Sequence, residues 1–252
     1  MVAATRLDCV LGSAALMRRA VAEASWHAAH RSAFGTTLAE QPAMRNVLAD
    51  LATESEAATL LGLRLAASVD RHDDHEVALR RIGLPLAKFW VCKRTPMMVA
   101  EAMECLGGNG YVEESGMPLL FRESPLNSIW EGSGNVNALD VLRALQREPE
   151  TLQAWLSEVG AVRGEDSRLD TAVDDVLADL ADLQDVEVRA RRLAAAMATC
   201  LQGALLLRHG NPAVADAFCA TRLAGDWGGV FGTLPRGLDL AAIVTRTTPH
   251  LV

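Results

Sequence analysis

The sequence predicts an all-α fold: an antiparallel four-helix bundle over residues 1–147, followed by a smaller helical extension over residues 148–252. Three observations predict it. Ala, Leu, Arg and Glu dominate a 252-residue chain that is 50% hydrophobic. Strand-like alternation is scarce, and the chain holds only one Tyr and five Phe. Apolar residues recur at i, i+3, i+4 between Gly and Pro punctuation.

The elements follow in order. A first helix runs from about Leu7 to His30 and is broken by Phe34-Gly35. A second opens at Pro42, a residue favoured at the first helical position. Its buried stripe is Met44, Val47, Leu48, Leu51, Ala58, Leu61 and Leu65. A third covers about His75 to Leu106, with kinks or a short break expected at Pro85 and Pro96. Gly107-Gly108 ends it, and an irregular loop continues to about Leu126. A fourth helix starts near Ser133 and runs past Leu145. Four long helices with short connections predict an antiparallel bundle. Glu148-Pro149-Glu150 marks a boundary. Shorter helices are expected over Leu152–Val159, Ser167–Leu183, Val186–Leu207 and Pro212–Leu223, then a weakly structured tail over the last ten residues.

No apolar run approaches the roughly 20 residues that span a bilayer, and no basic n-region precedes an apolar h-region. The reading is a soluble, cytoplasmic protein with no membrane partner. The five cysteines, Cys9, Cys92, Cys105, Cys200 and Cys219, form no CxxC and no zinc-spaced cluster. They are expected to be buried and reduced, with no metal. The formal net charge is −8, and strong nucleic-acid binding normally needs a basic face. Only two lysines, Lys88 and Lys93, stand among the 24 basic residues, which reads as nucleotide-composition bias.

Three segments carry possible chemistry. In Ile129-Trp130-Glu131-Gly132-Ser133-Gly134-Asn135, a carboxylate sits just before a helix that Ser133 or Asn135 would cap. Unpaired amides there favour an anion. An aromatic neighbour that desolvates Glu131 would make it a better proton acceptor. Taken alone, an ordinary helix start is the plainer reading. Gly107-Gly108-Asn109-Gly110-Tyr111 permits close backbone approach or positive φ, and also reads as a plain helix C-cap and turn. It is no dinucleotide fingerprint, because a helix ends there. Arg31-Ser32-Ala33-Phe34-Gly35, followed by Gln41, sets an Arg at a helix C-terminus, where it complements the dipole or clamps a pyrophosphate. His27, His30 and Asp73-Asp74-His75 read as structural.

The ordered set RxxFG, a following Gln, GGxGY and WEGS resembles the C-terminal domain of the acyl-CoA dehydrogenase superfamily. The wording of residues 101–136 and the helical extension are most similar to its AidB-type branch, tied to the bacterial adaptive response to DNA alkylation. The resemblance implies FAD as cofactor and α,β-dehydrogenation of an acyl-CoA, an isovaleryl-CoA-like chain among the candidates. It implies Glu131 as the catalytic base, with Thr5 where some relatives place an alternative base and Arg6 beside the acyl-CoA channel. It implies that Ile129, Trp130, Gly132, Ser133, Gly134 and Asn135 contact FAD. Arg31, Phe34, Gln41, Gly107 and Gly108 would hold the FAD of a neighbouring subunit in a dimer or tetramer. Glu104 departs from a Gln common in the family. Complete members carry further domains before this region, so weak or no turnover by this chain alone is expected, unless a partner chain supplies them. Two other roles stay open: double-stranded DNA binding, weakly supported by Arg189, Arg191 and Arg192 beside many carboxylates, and self-assembly.

Overall fold

The computed structural model describes residues 2–182 and 184–249. Three long helices, α1 (Val2–His30), α2 (Pro42–Asp70) and α3 (Asp74–Glu104), pack against one another. Pro42 opens α2, and the Asp73 carboxylate caps α3 by accepting the Glu76 amide at 3.0 Å. The five cysteines are free and buried.

The break at Phe34-Gly35 is a small hairpin. Strand β1 (Ser32–Ala33) pairs antiparallel with β2 (Thr36–Thr37), with Ala33 opposite Thr36. Phe34 and Gly35 both take positive φ, 53° and 89°, as a two-residue primed turn requires. Two-residue strands leave no alternation to read, which is why the sequence showed only a break.

Helix α3 runs unbroken through Pro85 and Pro96, so the short break expected there does not occur. Each proline costs about 3 kcal/mol in a helix interior. Burial of Ile82, Leu84, Leu86, Phe89, Val91, Met98 and Val99 on the same helix returns about 1.5–3 kcal/mol per large side chain. Packing therefore wins.

The stretch expected as an irregular loop folds into α4 (Gly108–Tyr111), α5 (Met117–Glu123) and two 3₁₀ turns, Glu113–Ser115 and Leu126–Ser128. Helix α6 (Gly134–Arg147) follows and packs on α3. The extension holds α7 (Glu150–Gly160), α8 (Ser167–Ala181), α9 (Val186–His209) and α10 (Pro212–Phe218), which runs into a π turn at Cys219–Leu223. Leu183, the expected last residue of α8, lies outside the described residues. A final helix, α11 (Leu240–Thr247), buries Ile243 and Val244, so the expected weak tail is structured there. Residues 250–252 of that stretch lie outside the described residues.

Glu148-Pro149 is a helix junction, and the core continues across it. Helix α9 packs on α2, α3 and α6, and one apolar cluster runs from Val10 through Trp155 and Phe218 to Val244. Buried charges tie the same elements. Arg94 on α3 makes two 3.0 Å bonds to the Glu54 carboxylate on α2, and Arg222 after α10 adds a third at 3.0 Å. Arg222 also lies 2.5 Å from Asp50 Oδ1, a charge contact without hydrogen-bond alignment. Asp50 Oδ2 accepts the Gly232 amide at 2.9 Å and the Trp227 indole N–H at 3.3 Å. Arg64 joins Glu76 on α3 to Glu158 on α7, at 2.8 and 2.6 Å.

Burial by itself pushes the Glu54 carboxyl up, but the Arg94 and Arg222 guanidiniums hold it down, to about 2. A carboxyl depressed by folding stabilises fully above its unfolded value, near 4.5, and loses that stabilisation as pH falls through its folded value. Thermal melts should therefore drop between pH 4.5 and pH 2. Glu54→Gln should flatten that drop and cost about 3–5 kcal/mol at pH 7, because two buried arginines lose a partner. An unchanged pH slope in Glu54→Gln counts against the assignment.

Candidate active site

The segment Ile129 to Asn135 is a tight turn between the Leu126–Ser128 3₁₀ turn and α6. Glu131 sits at φ 56° and Gly132 at φ 101°. A non-glycine residue at positive φ is strained, so neighbours must hold it. Lys88 of α3 does so from below. Its side chain is 1% exposed, and Nζ donates to the carbonyls of Trp130 at 2.7 Å and Gly132 at 2.6 Å. Asn137, fully buried, adds Nδ2 bonds to the carbonyls of Gly132 at 2.6 Å and Ser133 at 3.1 Å. Trp130 Nε1 donates to Asn127 Oδ1 at 3.0 Å, and Asn127 Nδ2 donates to Ser13 Oγ of α1 at 3.2 Å. Burial lowers the Lys88 ammonium from its ordinary value.

Ser133 is the N-cap residue of α6, but its hydroxyl makes no capping bond. Asn135 lies inside the first turn. The expected side-chain cap is thus absent, and the first amides of α6 have no intrahelical acceptor.

Glu131 is exposed, so burial does not desolvate it as expected. Its Oε2 accepts the Thr5 hydroxyl of α1 at 2.7 Å. The two candidate base positions are therefore neighbours in space, with a hydroxyl at one and a carboxylate at the other. Together with Asp8, Cys9, Gly12, Leu16, Glu123, Asn127 and Trp130 they line an open cleft of about 480 Å³. Ile129 and Trp130 are 65% and 50% exposed beside it. Arg6 is committed elsewhere: its Nη1 pairs with Asp140 of α6 at 2.5 Å.

The second cluster lies at the other end of α1. Arg31, His27, Leu38, Met44, Glu104, Gly107, Gly108 and Asn109 line a cleft of about 510 Å³. Gly107 has φ 58°, and a Cβ on Gly107 or Gly108 would meet open space, leaving that backbone approachable by a ligand. Phe34, at the hairpin tip, is 99% exposed. Gln41 does not face solvent alone; its Nε2 donates to the Ala33 carbonyl at 2.9 Å and braces the hairpin. Thr5 and Arg31 are separated by about 40 Å along α1 at 1.5 Å per residue. The predicted site residues thus form two groups rather than one.

The family description "Acyl-CoA dehydrogenase, C-terminal domain" matches residues 1–146. The chain belongs to the acyl-CoA dehydrogenase family. It is 44% identical over 220 residues to the AidB protein of Escherichia coli (strain K12), covering 87% of this chain and 40% of AidB. Among solved structures, Caenorhabditis elegans ACDH-11 in complex with C11-CoA superposes with a TM-score of 0.74 at 28% identity, covering 88% of this chain and 42% of ACDH-11. An acyl-CoA dehydrogenase complexed with FAD from Bacillus anthracis shares the fold, with a TM-score of 0.69 at 17% identity over 99% of this chain and 52% of that one. The chain spans 40% of AidB and 37% of another curated relative, acyl-CoA dehydrogenase family member 11 of Caenorhabditis elegans.

Sequence reasoning missed Lys88 and Asn137. The available signal was compositional: one of two lysines in an arginine-rich chain is the one that clamps the turn. It also missed why Gly110 is glycine. A Cβ there would stand 2.0 Å from the Met103 carbonyl oxygen at the end of α3. Gly110→Ala should therefore displace α4 and cost about 1–3 kcal/mol. Calorimetric melts check it: Gly108→Ala, with open space around it, should melt close to the unmutated chain, and equal melting of all three proteins would refute the distinction.

Proposed function

We propose that the chain is the FAD-binding C-terminal part of an acyl-CoA dehydrogenase-like oxidoreductase, with Glu131 as the base that takes the α-proton of an acyl-CoA. The observation that carries this reading is the Glu131 carboxylate itself, held at positive φ on a braced turn and presented to an open cleft beside an exposed indole.

Fit to the flavin rests on the same surfaces. The unpaired first amides of α6, with Ser133, Gly134 and Asn135, suit a phosphate. Ile129, Trp130 and Gly132 would lie along the cofactor. Bound flavin supplies an acceptor for the hydride that leaves the β-carbon. Glu131 holds the proton lost from the α-carbon, and Thr5 Oγ1 donates to Oε2, which fixes the carboxylate's direction. Arg6, paired with Asp140, would flank the acyl-CoA rather than bind it through a lone charge. Arg31, Phe34, Gln41, Gly107 and Gly108 would serve the flavin of a second subunit, because they stand at the far end of α1. A homo-oligomer is part of the proposal. So is low turnover by this chain alone, since an exposed Glu131 lacks the water-excluding cover that strengthens a site.

Duplex DNA gains little from this surface. Arg189 bonds the carbonyls of Asp179, Asp182 and Gln184, and Arg192 pairs with Asp179 at 3.4 Å. Arg163, Arg168, Arg208 and Arg246 each pair with a carboxylate.

The test is a flavin titration of the purified chain, read by absorption and by quenching of flavin fluorescence. FAD should bind, and Arg31→Ala with Phe34→Ala should weaken binding at least tenfold, about 1.4 kcal/mol, without moving the melt. Glu131→Gln should retain FAD and lose flavin reduction by acyl-CoA in any assembly that turns over. A colourless chain that ignores added FAD sinks the proposal.

A further inference from the structure

Lys88 raises a separate question: why an ammonium is buried where, among the described residues, no carboxylate pairs with it directly. Its hydrogen-bonding capacity goes to two backbone carbonyls, those of Trp130 and Gly132, which bracket Glu131. Around it stand Cys9 and Arg6 from α1, Cys92 on α3 and Glu131 from the turn. A buried cation with only neutral acceptors is an expensive way to hold a loop. The chain is otherwise rich in arginine, and the other buried cation on α3 is Arg94. A guanidinium is a broad planar fork; an ammonium is a compact point with three donors that can sit between two converging carbonyls.

The carbonyls in question set the turn. With Trp130 O and Gly132 O both drawn toward α3, the intervening Glu131 is driven to φ 56° and Gly132 to φ 101°. Left-handed backbone is strained for a non-glycine residue, so the conformation needs outside support. Asn137 shares the Gly132 carbonyl and supplies part of it, but no Asn137 bond reaches Trp130 O. Only with the backbone on that side does the Glu131 carboxylate extend across to Thr5 on α1.

We infer that Lys88 is a positioning residue for Glu131: its ammonium pins the two carbonyls that flank Glu131 and thereby aims the carboxylate into the cleft. The inference rests on the reading of Glu131 as the base, but its test does not need turnover. Lys88→Met keeps the stem and removes the donors. Amide hydrogen exchange over residues 129–134 should then rise at least tenfold while α1 and α2 stay protected, and the ¹³C chemical shift of the Glu131 carboxyl should move as its contact with Thr5 loosens. Lys88→Arg should not restore either property. Unchanged exchange and an unchanged Glu131 carboxyl ¹³C shift in Lys88→Met overturn the inference.

Should Lys88→Met fail to fold, the unmutated chain decides. It has two lysines, and Lys93 is exposed, so ¹⁵N-lysine labelling gives one signal of each kind. The Lys88 ammonium should exchange with solvent at least tenfold more slowly than that of Lys93; equal exchange overturns the clamp. If Glu131→Gln leaves flavin reduction intact, the base assignment fails while the exchange data still report on the clamp, so the two failures are distinguishable.

Discussion

Helix α3 is covered by α1, α2, α5, α6, α7 and α9, and that enclosure governs much of the polar architecture around it. A helix wrapped this way has little solvent-facing side on which to place charge. Yet α3 carries Arg81, Lys88 and Arg94, and each must find acceptors among the helices around it. Arg81 reaches Asp140 and Glu148 at the two ends of α6's second half, Lys88 reaches the turn before α6, and Arg94 reaches Glu54 on α2. The three cations occupy successive levels of one helix and address different partners. They set the register of α3 against α2 and α6 in a way that apolar contacts, which tolerate sliding, do not.

The same constraint ties the extension to the helices before it. Glu54 and Asp50 bring two negative charges to the α2 face that meets Arg94, and one arginine does not neutralise two carboxylates. Arg222, delivered by the π turn after α10, supplies the second positive charge, and Trp227 stacks against both guanidiniums at 4.9 Å. Removing the extension would expose an incomplete charge cluster as well as the apolar side of α9. Truncation near residue 148 would thus unbalance the interior of the part that remains.

How much of this was legible in the sequence depends on range. The long helices were legible because their signals are local: period 3.6, Pro42 at a start, Asp73 before a start. The segments around Arg31 and Glu131 stood out only through the ordered set RxxFG, GGxGY and WEGS and its family resemblance; taken singly, each read as an ordinary helix end or start. What escaped was whatever depends on pairing across the fold. Lys88 lies 42 positions from the carbonyl of Trp130 that it binds, and no window of the chain contains both. Pro85 and Pro96 raised the expectation of kinks or a short break because propensity is local, whereas the burial of most of α3 is not. Asn135 and Ser133 looked like caps by position, but the polar group that serves the turn is Asn137, set by the direction of α6 rather than by the first residue of the helix.

The separation of the two clusters also bears on how a site could be assembled. Glu131 and Arg31 stand at opposite ends of α1, about 40 Å apart on a helix rise of 1.5 Å. On the proposed reading, one chain touches two different flavins: it offers a base and a helix start to one, and a hairpin and a glycine turn to the other. Phe34 fits that arrangement. A phenyl ring almost wholly in water, on a backbone angle that Phe tolerates poorly, gains nothing within this chain. Gln41 nevertheless braces its hairpin through Ala33, so the exposed ring is held in place rather than left to collapse. Both ends of α1 therefore show the same economy: a strained, exposed residue, stabilised from behind by a side chain that donates to the backbone beside it.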